Sequence, residues 1–173
     1  REHSDLGADQ AHRLLAGAVD FGKRHALDGF DVDWEYPGLP GDGNPYRPED
    51  KGNFTALMAD LRAALDREEA RRGRHLLLTF AAGASRDFLA HTEMAKVQAV
   101  VDFVNLMTYD FRVASPGSPA GHHANLYPSP ADPRSHSADG AVKDFLAAGV
   151  PASKLVLGVP FYGRAWEGVG SRE

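Results

Sequence analysis

Residues 28–37 have the sequence DGFDVDWEYP, in which acids alternate with large apolar side chains. Alternation with a period of two is typical of a β-strand, because successive side chains of a strand point to opposite faces. Asp31, Asp33 and Glu35 therefore share one face of this strand. The opposite face carries three large apolar side chains: Phe30, Val32 and Trp34. The stretch predicts a strand with a row of carboxylates on one side and a packing surface on the other.

Helices and strands alternate along the rest of the chain. Apolar residues at three-four spacing predict the helices, and short apolar runs between turn residues predict the strands. The last helix is expected to begin at a Ser137 or Asp139 cap and to run to Ala148, where Gly149 ends it. The other elements are predicted as helices over about 8–24, 48–71 and 87–100, strands over about 29–35, 76–82, 102–109 and 154–162, and loops over 37–45 and 111–137.

This alternation predicts an α/β fold with a parallel sheet and helical crossovers. Two architectures satisfy it, an open doubly wound sheet and a (β/α)8 barrel. No glycine-rich phosphate-binding loop follows a predicted strand, which disfavours the nucleotide-binding doubly wound form. Polar residues gather instead at the carboxyl ends of the strands, where barrel enzymes carry their chemistry. These residues are Glu35, Tyr109, Asp110, Tyr162 and Arg164.

The row of carboxylates is the candidate catalytic centre. Close carboxylates in a confined space cannot all ionise without cost, so they share protons, and one is expected to stay protonated near neutral pH. A neutral carboxylic acid is what general acid catalysis requires. An edge strand with a solvated acidic face is the alternative. A calcium-binding loop that starts at Asp31 fails, because its pattern needs glycine at Tyr36 and glutamate at Asp42.

The composition excludes several classes of function. The chain has 173 residues, which suits one domain, with a net charge of -5 and no cysteine. Nucleic acid is not an expected partner, because binding it needs a basic face. No apolar run approaches the roughly 20 residues of a membrane span, so no membrane partner is expected. Three histidines of the long loop lack acids at ligand spacing and are interpreted as solvated, with no metal or cofactor: His122, His123 and His136.

The opening stretch resembles the signature of the family 18 glycoside hydrolases, the chitinase family. That signature is D-x-x-D-x-D-x-E, and its acidic positions are filled by Asp28, Asp31, Asp33 and Glu35. The sequence MTYD at 107–110 is similar to the family's sixth-strand motif, and GVPFYGR at 158–164 is similar to its seventh-strand motif. The resemblance covers nearly the whole chain and is strongest to bacterial chitinases.

The resemblance implies a (β/α)8 TIM barrel, of which about strands four to seven with their helices are present. Residues 1–173 are then expected to be part of a catalytic domain, since such a barrel has about 250 residues. Residue 1 is arginine and no signal-peptide pattern follows it, so we expect a piece of a longer protein. The resemblance implies that this parent protein is secreted. The open edges of a half-barrel are expected to pair with more of that polypeptide or with a second copy.

The resemblance also implies hydrolysis of β-1,4-linked N-acetylglucosamine polymers, such as chitin, by a retaining, substrate-assisted mechanism. Glu35 would protonate the glycosidic oxygen, while the substrate's own 2-acetamido carbonyl attacks and forms an oxazolinium ion. Asp33 would hold the acetamido N–H and stabilise that cation, and Asp31 would pair with Asp33 and raise the proton affinity of the cluster. Tyr109 would donate a hydrogen bond to the acetamido carbonyl.

Six further residues are predicted from the resemblance to bind the substrate: Asp28, Tyr36, Met107, Asp110, Tyr162 and Arg164. Met107 shares a strand face with Tyr109 and would line the floor of the sugar site, although methionine is more often core filler. Tyr109 taken alone is equally consistent with a buried core tyrosine. Arg164 is also consistent with a salt bridge at the barrel rim.

Three other functions stay open at this point. One is a non-catalytic chitin- or glycan-binding protein on the same fold, although such relatives usually lose the acid and Glu35 is present. The second is an endo-β-N-acetylglucosaminidase that acts on glycoprotein glycans, which only substrate data can separate from a chitinase. The third is an inert structural fragment.

Overall fold

The computed structural model describes residues 13, 15–41, 43–113, 115, 119–129 and 136–170. Its helices are α1 (15–24), α2 (Asp50–Arg72), α3 (Arg86–Ala90), α4 (Met94–Val97) and α5 (Ala138–Ala147). Its strands are β1 (Gly29–Val32), β2 (Leu77–Gly83), β3 (Phe103–Met107) and β4 (Leu155–Leu157), with a 3-10 turn at Ala152–Lys154. The start of the helix predicted over 8–24 and parts of the long loop lie outside the described residues.

The four strands form one parallel sheet in the order β1-β2-β3-β4. Gly29 pairs with Leu77 at the start of β1, and Val104 of β3 pairs with Leu155 of β4. Each crossover joins neighbouring strands, and the order does not reverse among the described strands. A doubly wound sheet reverses its order at a switch point, whereas a barrel adds its strands in sequence. The topology therefore agrees with the predicted barrel and not with the doubly wound alternative.

One face of the sheet forms the hydrophobic core together with the helices. Four side chains on this face have no exposed surface: Leu78, Phe80, Val104 and Leu106. They belong to one cluster with the buried stripe of α2, which consists of Phe54, Met58, Leu61 and Leu65. Trp34 stands edge-on to Phe54, with ring centroids 6.1 Å apart. The apolar face of the opening stretch packs against the helices, as predicted.

The opposite face of the sheet carries polar residues side by side. Asp31 of β1 pairs with Thr79 of β2, and Asn105 of β3 pairs with Ala81 two residues further along β2. Leu77 and Val156 on this face are 41% and 43% exposed. β1 lies at the edge of the described sheet and Asp31 is exposed, so this part of the polar face is open to solvent.

Two strands are shorter than predicted. β1 ends at Val32 and not at Glu35. Asp33 and Glu35 therefore lie beyond the last pair of the ladder, which joins Val32 to Phe80. β4 ends at Leu157 and not at Tyr162. Gly158 N still donates to the Leu106 carbonyl at 2.8 Å, but Pro160 has no N–H with which to extend the ladder.

The helix predicted over 87–100 is two short helices, α3 and α4, separated at residues 91–93. Thr92 lies in this break, and its hydroxyl donates to the Phe88 carbonyl at 2.8 Å. Side-chain bonds of this kind compete with the helical ladder. The predicted cap of the last helix is confirmed, because the Ser137 hydroxyl accepts from Gly140 N and Gly149 follows with φ +90°.

A polar network fixes the amino ends of β2 and β3. The two ring nitrogens of His75 lie 2.9 Å from Glu69 and 2.6 Å from Asp102. Hydrogen bonding to Asp102 and then to Glu69 raises the pKa of His75. The same carboxylates accept from Leu76 N and Leu78 N, so the turn after α2 is tied to both strands. This network lies at the opposite end of the sheet from the carboxyl ends of the strands.

A buried carboxylate joins α1 to α2. Glu68 is 5% exposed and receives hydrogen bonds from Arg71 and Arg72, with Lys23 of α1 at 3.9 Å. The hydrogen bonds from the two arginines lower the pKa of Glu68 to about 2. Arg72 also donates to the Leu27 carbonyl, which positions the approach to β1. In the part of the chain that the structure describes, no helix is both long and apolar enough to span a membrane.

Candidate active site

A cleft of about 450 Å³ opens at the carboxyl ends of β1, β2 and β3. These strands end at Val32, Gly83 and Met107, so the residues that follow form the walls. Six of the predicted site residues line the cleft: Asp33, Glu35, Tyr36, Met107, Tyr109 and Asp110. The parallel sheet brings together residues that are far apart in the sequence, because parallel strands share one carboxyl edge.

The row of carboxylates runs from the sheet into the cleft. Asp31 lies on β1, where its Oδ1 accepts hydrogen bonds from Thr79 Oγ1 at 2.5 Å and from Asn105 Nδ2 at 3.0 Å. Asp33 and Glu35 lie beyond the end of β1 and line the cleft. One acid is thus anchored in the sheet, and the other two face the space that a substrate would occupy.

The surroundings of Asp33 increase its affinity for a proton. Partial burial raises its pKa, and the negative charges of Glu35 and Asp31 raise it further. An acid with a raised pKa between two other carboxylates is what proton sharing produces. The effect has the direction that the sequence predicted for the row.

Tyr36 and Tyr109 supply two hydroxyl groups to the cleft. Burial raises the pKa of both tyrosines, and the negative charges of Glu35 and Asp33 raise it further. Hydrogen bonding to Glu35 contributes for Tyr36. Both hydroxyls therefore stay protonated at neutral pH and can donate. Edge-on contacts hold the rings, Tyr36 against Phe88 at 6.2 Å and Tyr109 against Tyr162 at 6.2 Å.

Asp110 is the centre of a polar group at the rim. Its φ of +56° is a left-handed conformation that few non-glycine residues adopt. Its carboxylate accepts from the Tyr162 hydroxyl at 2.7 Å and from Arg164 Nε and Nη2 at 2.9 and 2.7 Å. Burial opposes the charge, but these hydrogen bonds hold the pKa of Asp110 below its usual range. Arg164 thus forms the rim salt bridge that the sequence left open as the alternative to sugar contact.

The structure does not bring Asp28 to the cleft. Asp28 precedes β1, so it lies at the amino end of a strand whose carboxyl end forms the site. Its carboxylate pairs with Arg74 in the turn after α2. The prediction that Asp28 binds the substrate is corrected accordingly, since its contacts tie the start of β1 to α2.

One loop histidine, His123, is not solvated as predicted, and an exposed one, His136, lies in the cleft. His136 lines the cleft and stacks on Phe111, with ring centroids 6.0 Å apart and planes at 22°. His123 is half-buried and packs against Tyr162 at 5.6 Å, whereas His122 is exposed as predicted. Among the described residues, no group of three or more histidine and acidic side chains is placed to hold a metal ion.

Sequence reasoning also missed Thr79 and Asn105, the two residues that hold Asp31. The signal was present, because each is the polar residue within an apolar strand, in LLLTFAAG and in FVNLM. A polar residue at such a position faces the polar side of its own strand. Its partner on a neighbouring strand depends on register, which the sequence alone does not reveal.

The sequence model described as "Glycosyl hydrolases family 18" matches residues 3–173. Chitinase A1 of Niallia circulans is 47% identical over an alignment of 175 residues, which covers 95% of this chain and 25% of that protein. Chitotriosidase-1 of Mus musculus is 38% identical over 173 residues, which are 96% of this chain and 36% of that protein. The chain therefore spans about a quarter to a third of the length of these relatives.

Solved structures of family 18 enzymes are also similar to this chain. A family 18 N-acetylglucosaminidase from Paenibacillus barengoltzii is 47% identical with a TM-score of 0.80, over 86% of this chain and 43% of that one. Chitinase ChiA74 from Bacillus thuringiensis is 43% identical with a TM-score of 0.83, over 91% of this chain and 26% of that one. The parallel sheet and its helices correspond to part of a TIM barrel. On its sequence and its fold, the chain belongs to family 18 of the glycosyl hydrolases.

Proposed function

We propose that this chain carries the acid–base residues of a retaining hydrolase that cleaves β-1,4-linked N-acetylglucosamine polymers, with chitin as the substrate. The observation that carries this proposal is the convergence of Asp33, Glu35 and Tyr109 in one cleft at the carboxyl end of a parallel sheet. The raised pKa of Asp33 beside Glu35 supports acid–base chemistry there. Relatives named as chitinases support the substrate class.

In the proposed reaction, Glu35 protonates the glycosidic oxygen and the substrate's 2-acetamido carbonyl oxygen attacks the anomeric carbon. Tyr109, whose hydroxyl stays protonated, donates a hydrogen bond to that carbonyl and orients it. Asp33 accepts the acetamido N–H, and its negative charge then stabilises the oxazolinium cation as it forms. The sugar on the other side of the bond leaves with the proton from Glu35. Water then opens the oxazolinium from the opposite side and gives its proton to the Glu35 carboxylate, so the product keeps the β configuration.

The surroundings of Asp110 argue against a second carboxylate as the nucleophile. Two-carboxylate glycosidases place one acid on each side of the scissile bond. Among the described residues that line the cleft, Asp110 is the acid outside the row, and Tyr162 and Arg164 occupy its oxygens. A nucleophile supplied by the substrate removes the need for a protein carboxylate at that position.

The remaining predicted residues form the walls of the proposed sugar site. Met107 and Tyr36 line the cleft and would contact the faces and edges of the sugar. Tyr162 and Arg164 would act on the sugar through the position of Asp110, which both of them fix.

We further propose that the protein is secreted, since its substrate lies outside cells. We also propose that more of the polypeptide or a second copy covers the exposed Leu77 and Val156. Sedimentation as a monodisperse monomer that unfolds cooperatively would argue against such a cover.

We expect hydrolysis to depend on the acetamido group of the substrate. Residues 1–173 and the complete product of the gene are each incubated with N-acetylchitohexaose, its deacetylated form and cellohexaose, and the products are separated by chromatography. Cleavage of the acetylated hexamer alone is the expected result, because the nucleophile is missing from the other two. Cleavage of the deacetylated hexamer at a comparable rate would show that a protein group attacks, and no cleavage of the acetylated hexamer by either protein would refute the proposed function.

The solved N-acetylglucosaminidase supports a second candidate with the same chemistry, the release of N-acetylglucosamine units from chain ends or from glycans. The product pattern separates the candidates. An endo-acting chitinase gives dimers to tetramers from the hexamer at early times, whereas an exo-acting enzyme gives monomer and pentamer first. Release of an N-linked glycan from a glycoprotein, with the hexamer left intact, would favour an endo-β-N-acetylglucosaminidase.

A further inference from the structure

The methionines of the chain differ in their access to solvent. The structure describes all three of them, and Met58 and Met94 are 0% and 3% exposed within the hydrophobic core. Met107 ends β3, is half-buried and lines the cleft. The chain has no cysteine, so the methionine thioethers are its only sulfur groups. Met107 is therefore the sulfur of this chain that a small solute in the cleft can reach.

The strand register leaves the flank of Met107 open. Its partner on β2 is Gly83, which has no side chain and also lines the cleft. On β3, Leu106 faces the core, so Asn105 and Met107 lie on the opposite face of the strand. The thioether therefore lies on the polar side of the sheet at its carboxyl end, where the cleft opens.

We propose that Met107 is a modification site, at which hydrogen peroxide oxidises the thioether to a sulfoxide. The sulfur lone pair attacks one peroxide oxygen and the O–O bond breaks. The second oxygen leaves as water, with the proton of the first. The sulfur is thus oxidised by two electrons and the peroxide is reduced by two. Methionine sulfoxide reductases reverse this step, so the modification can act as a switch.

Oxidation changes the floor of the proposed sugar site. A sulfoxide is polar and replaces the apolar, adaptable surface of a thioether. Its oxygen is also a hydrogen-bond acceptor, and the Tyr109 hydroxyl in the same cleft is a protonated donor. A bond between them would remove the donor that orients the acetamido carbonyl. This consequence, unlike the oxidation itself, rests on the proposed function.

A competing interpretation is that Met107 only fills space at the end of β3, with a thioether no more reactive than those of the core. Oxidation would then follow fluctuations that open the whole fold, and the three methionines would react together. The two interpretations differ in the order of oxidation. If the cleft gives access, Met107 reacts in the folded protein, whereas Met58 and Met94 react only when the core opens.

The test treats residues 1–173 and the complete product of the gene with hydrogen peroxide. Mass spectrometry of their peptides follows the sulfoxide at each of the three positions, and initial rates on N-acetylchitohexaose are measured in the same samples. Met107→Leu keeps a similar apolar volume without the sulfur. Met58→Leu makes the same exchange in the core and is the matched control. Each variant is compared with its own untreated sample.

We expect Met107 to be oxidised at least about tenfold faster than Met58 and Met94, because the core opens rarely in the folded protein. The rate on the hexamer is expected to fall about tenfold as the sulfoxide accumulates, the cost of a polar group at an apolar contact, and to return after treatment with the reductases. Met107→Leu should keep its own untreated rate after peroxide, whereas Met58→Leu should lose it as wild type does.

Oxidation of Met58 or Met94 as fast as Met107, in either protein, would overturn the assignment of the site. An unchanged rate on the hexamer with Met107 fully oxidised would overturn the switch. A protein that is inactive before peroxide is added refutes the proposed function instead, and the peptide map still decides whether Met107 is the modified residue.

Discussion

Replacing Glu35 by glutamine is expected to lower kcat for hydrolysis of N-acetylchitooligosaccharides by roughly 10²- to 10⁴-fold, the usual contribution of a general acid. Glutamine has the same shape but carries no acidic proton, so the glycosidic oxygen would have to leave as an alkoxide. Because Glu35 lines the cleft without serving the core, we expect the fold and the KM to change little.

Glu49→Gln is the matched control for this loss. Glu49 is exposed, precedes α2 and makes no side-chain cap, so the same chemical change there should leave kcat within about twofold of wild type. Initial rates at saturating substrate, with circular dichroism of both variants, make the comparison. Full turnover by Glu35→Gln would mean that another group supplies the proton and that Glu35 has been assigned the wrong role.

Phe80→Ala is expected to destabilise the protein by about 3–5 kcal/mol. Phe80 has no exposed surface, and its ring meets Phe54 of α2 edge-on, with centroids 5.3 Å apart. Truncation removes buried apolar area and leaves a cavity between β2 and α2 that the rigid ladder on both sides of β2 cannot close. Since small domains are stable by only about 5–15 kcal/mol, this single change removes a large share of the total.

Leu77→Ala on the same strand is the control for Phe80→Ala. Leu77 points to the opposite face and is 41% exposed, so its truncation should cost less than about 1 kcal/mol. Urea unfolding followed by circular dichroism gives both values if the slope with denaturant is unchanged. Comparable losses for the two variants would mean that the face opposite the helices is as tightly packed as the core, in conflict with the described burial.

Much of the fold could be predicted from local patterns. The alternation in residues 28–37 assigned Phe30 and Trp34 to the helix side and Asp31 to the other side, and the structure confirms both assignments. The ends of β1 and β4 could not be predicted from the apolar pattern, because both strands leave the ladder before their neighbours β2 and β3 end. The break between α3 and α4 depends on the bond from Thr92 to Phe88, which residue spacing does not predict.

Part of the candidate site could also be predicted from the sequence, and part could not. Asp33, Glu35 and Tyr109 lie next to strand ends, and parallel strands bring such residues to one edge, so their meeting in the cleft was predictable. The roles of Thr79 and Asn105 were not, since they depend on cross-strand register. Asp28, in contrast, was wrongly predicted to bind the substrate. Membership in a motif suggested a site residue, but its place before β1 puts it at the other end of the strand.

The anomeric configuration of the first product tests the central claim most directly. The acetylated hexamer is cleaved inside a spectrometer, and the new reducing end is observed by ¹H NMR before mutarotation mixes the two anomers. Attack by the substrate's acetamido group, followed by water from the opposite side, predicts that the β-anomer appears first and the α-anomer follows only by mutarotation. An initial α-anomer would mean direct displacement by water and would contradict the proposed mechanism.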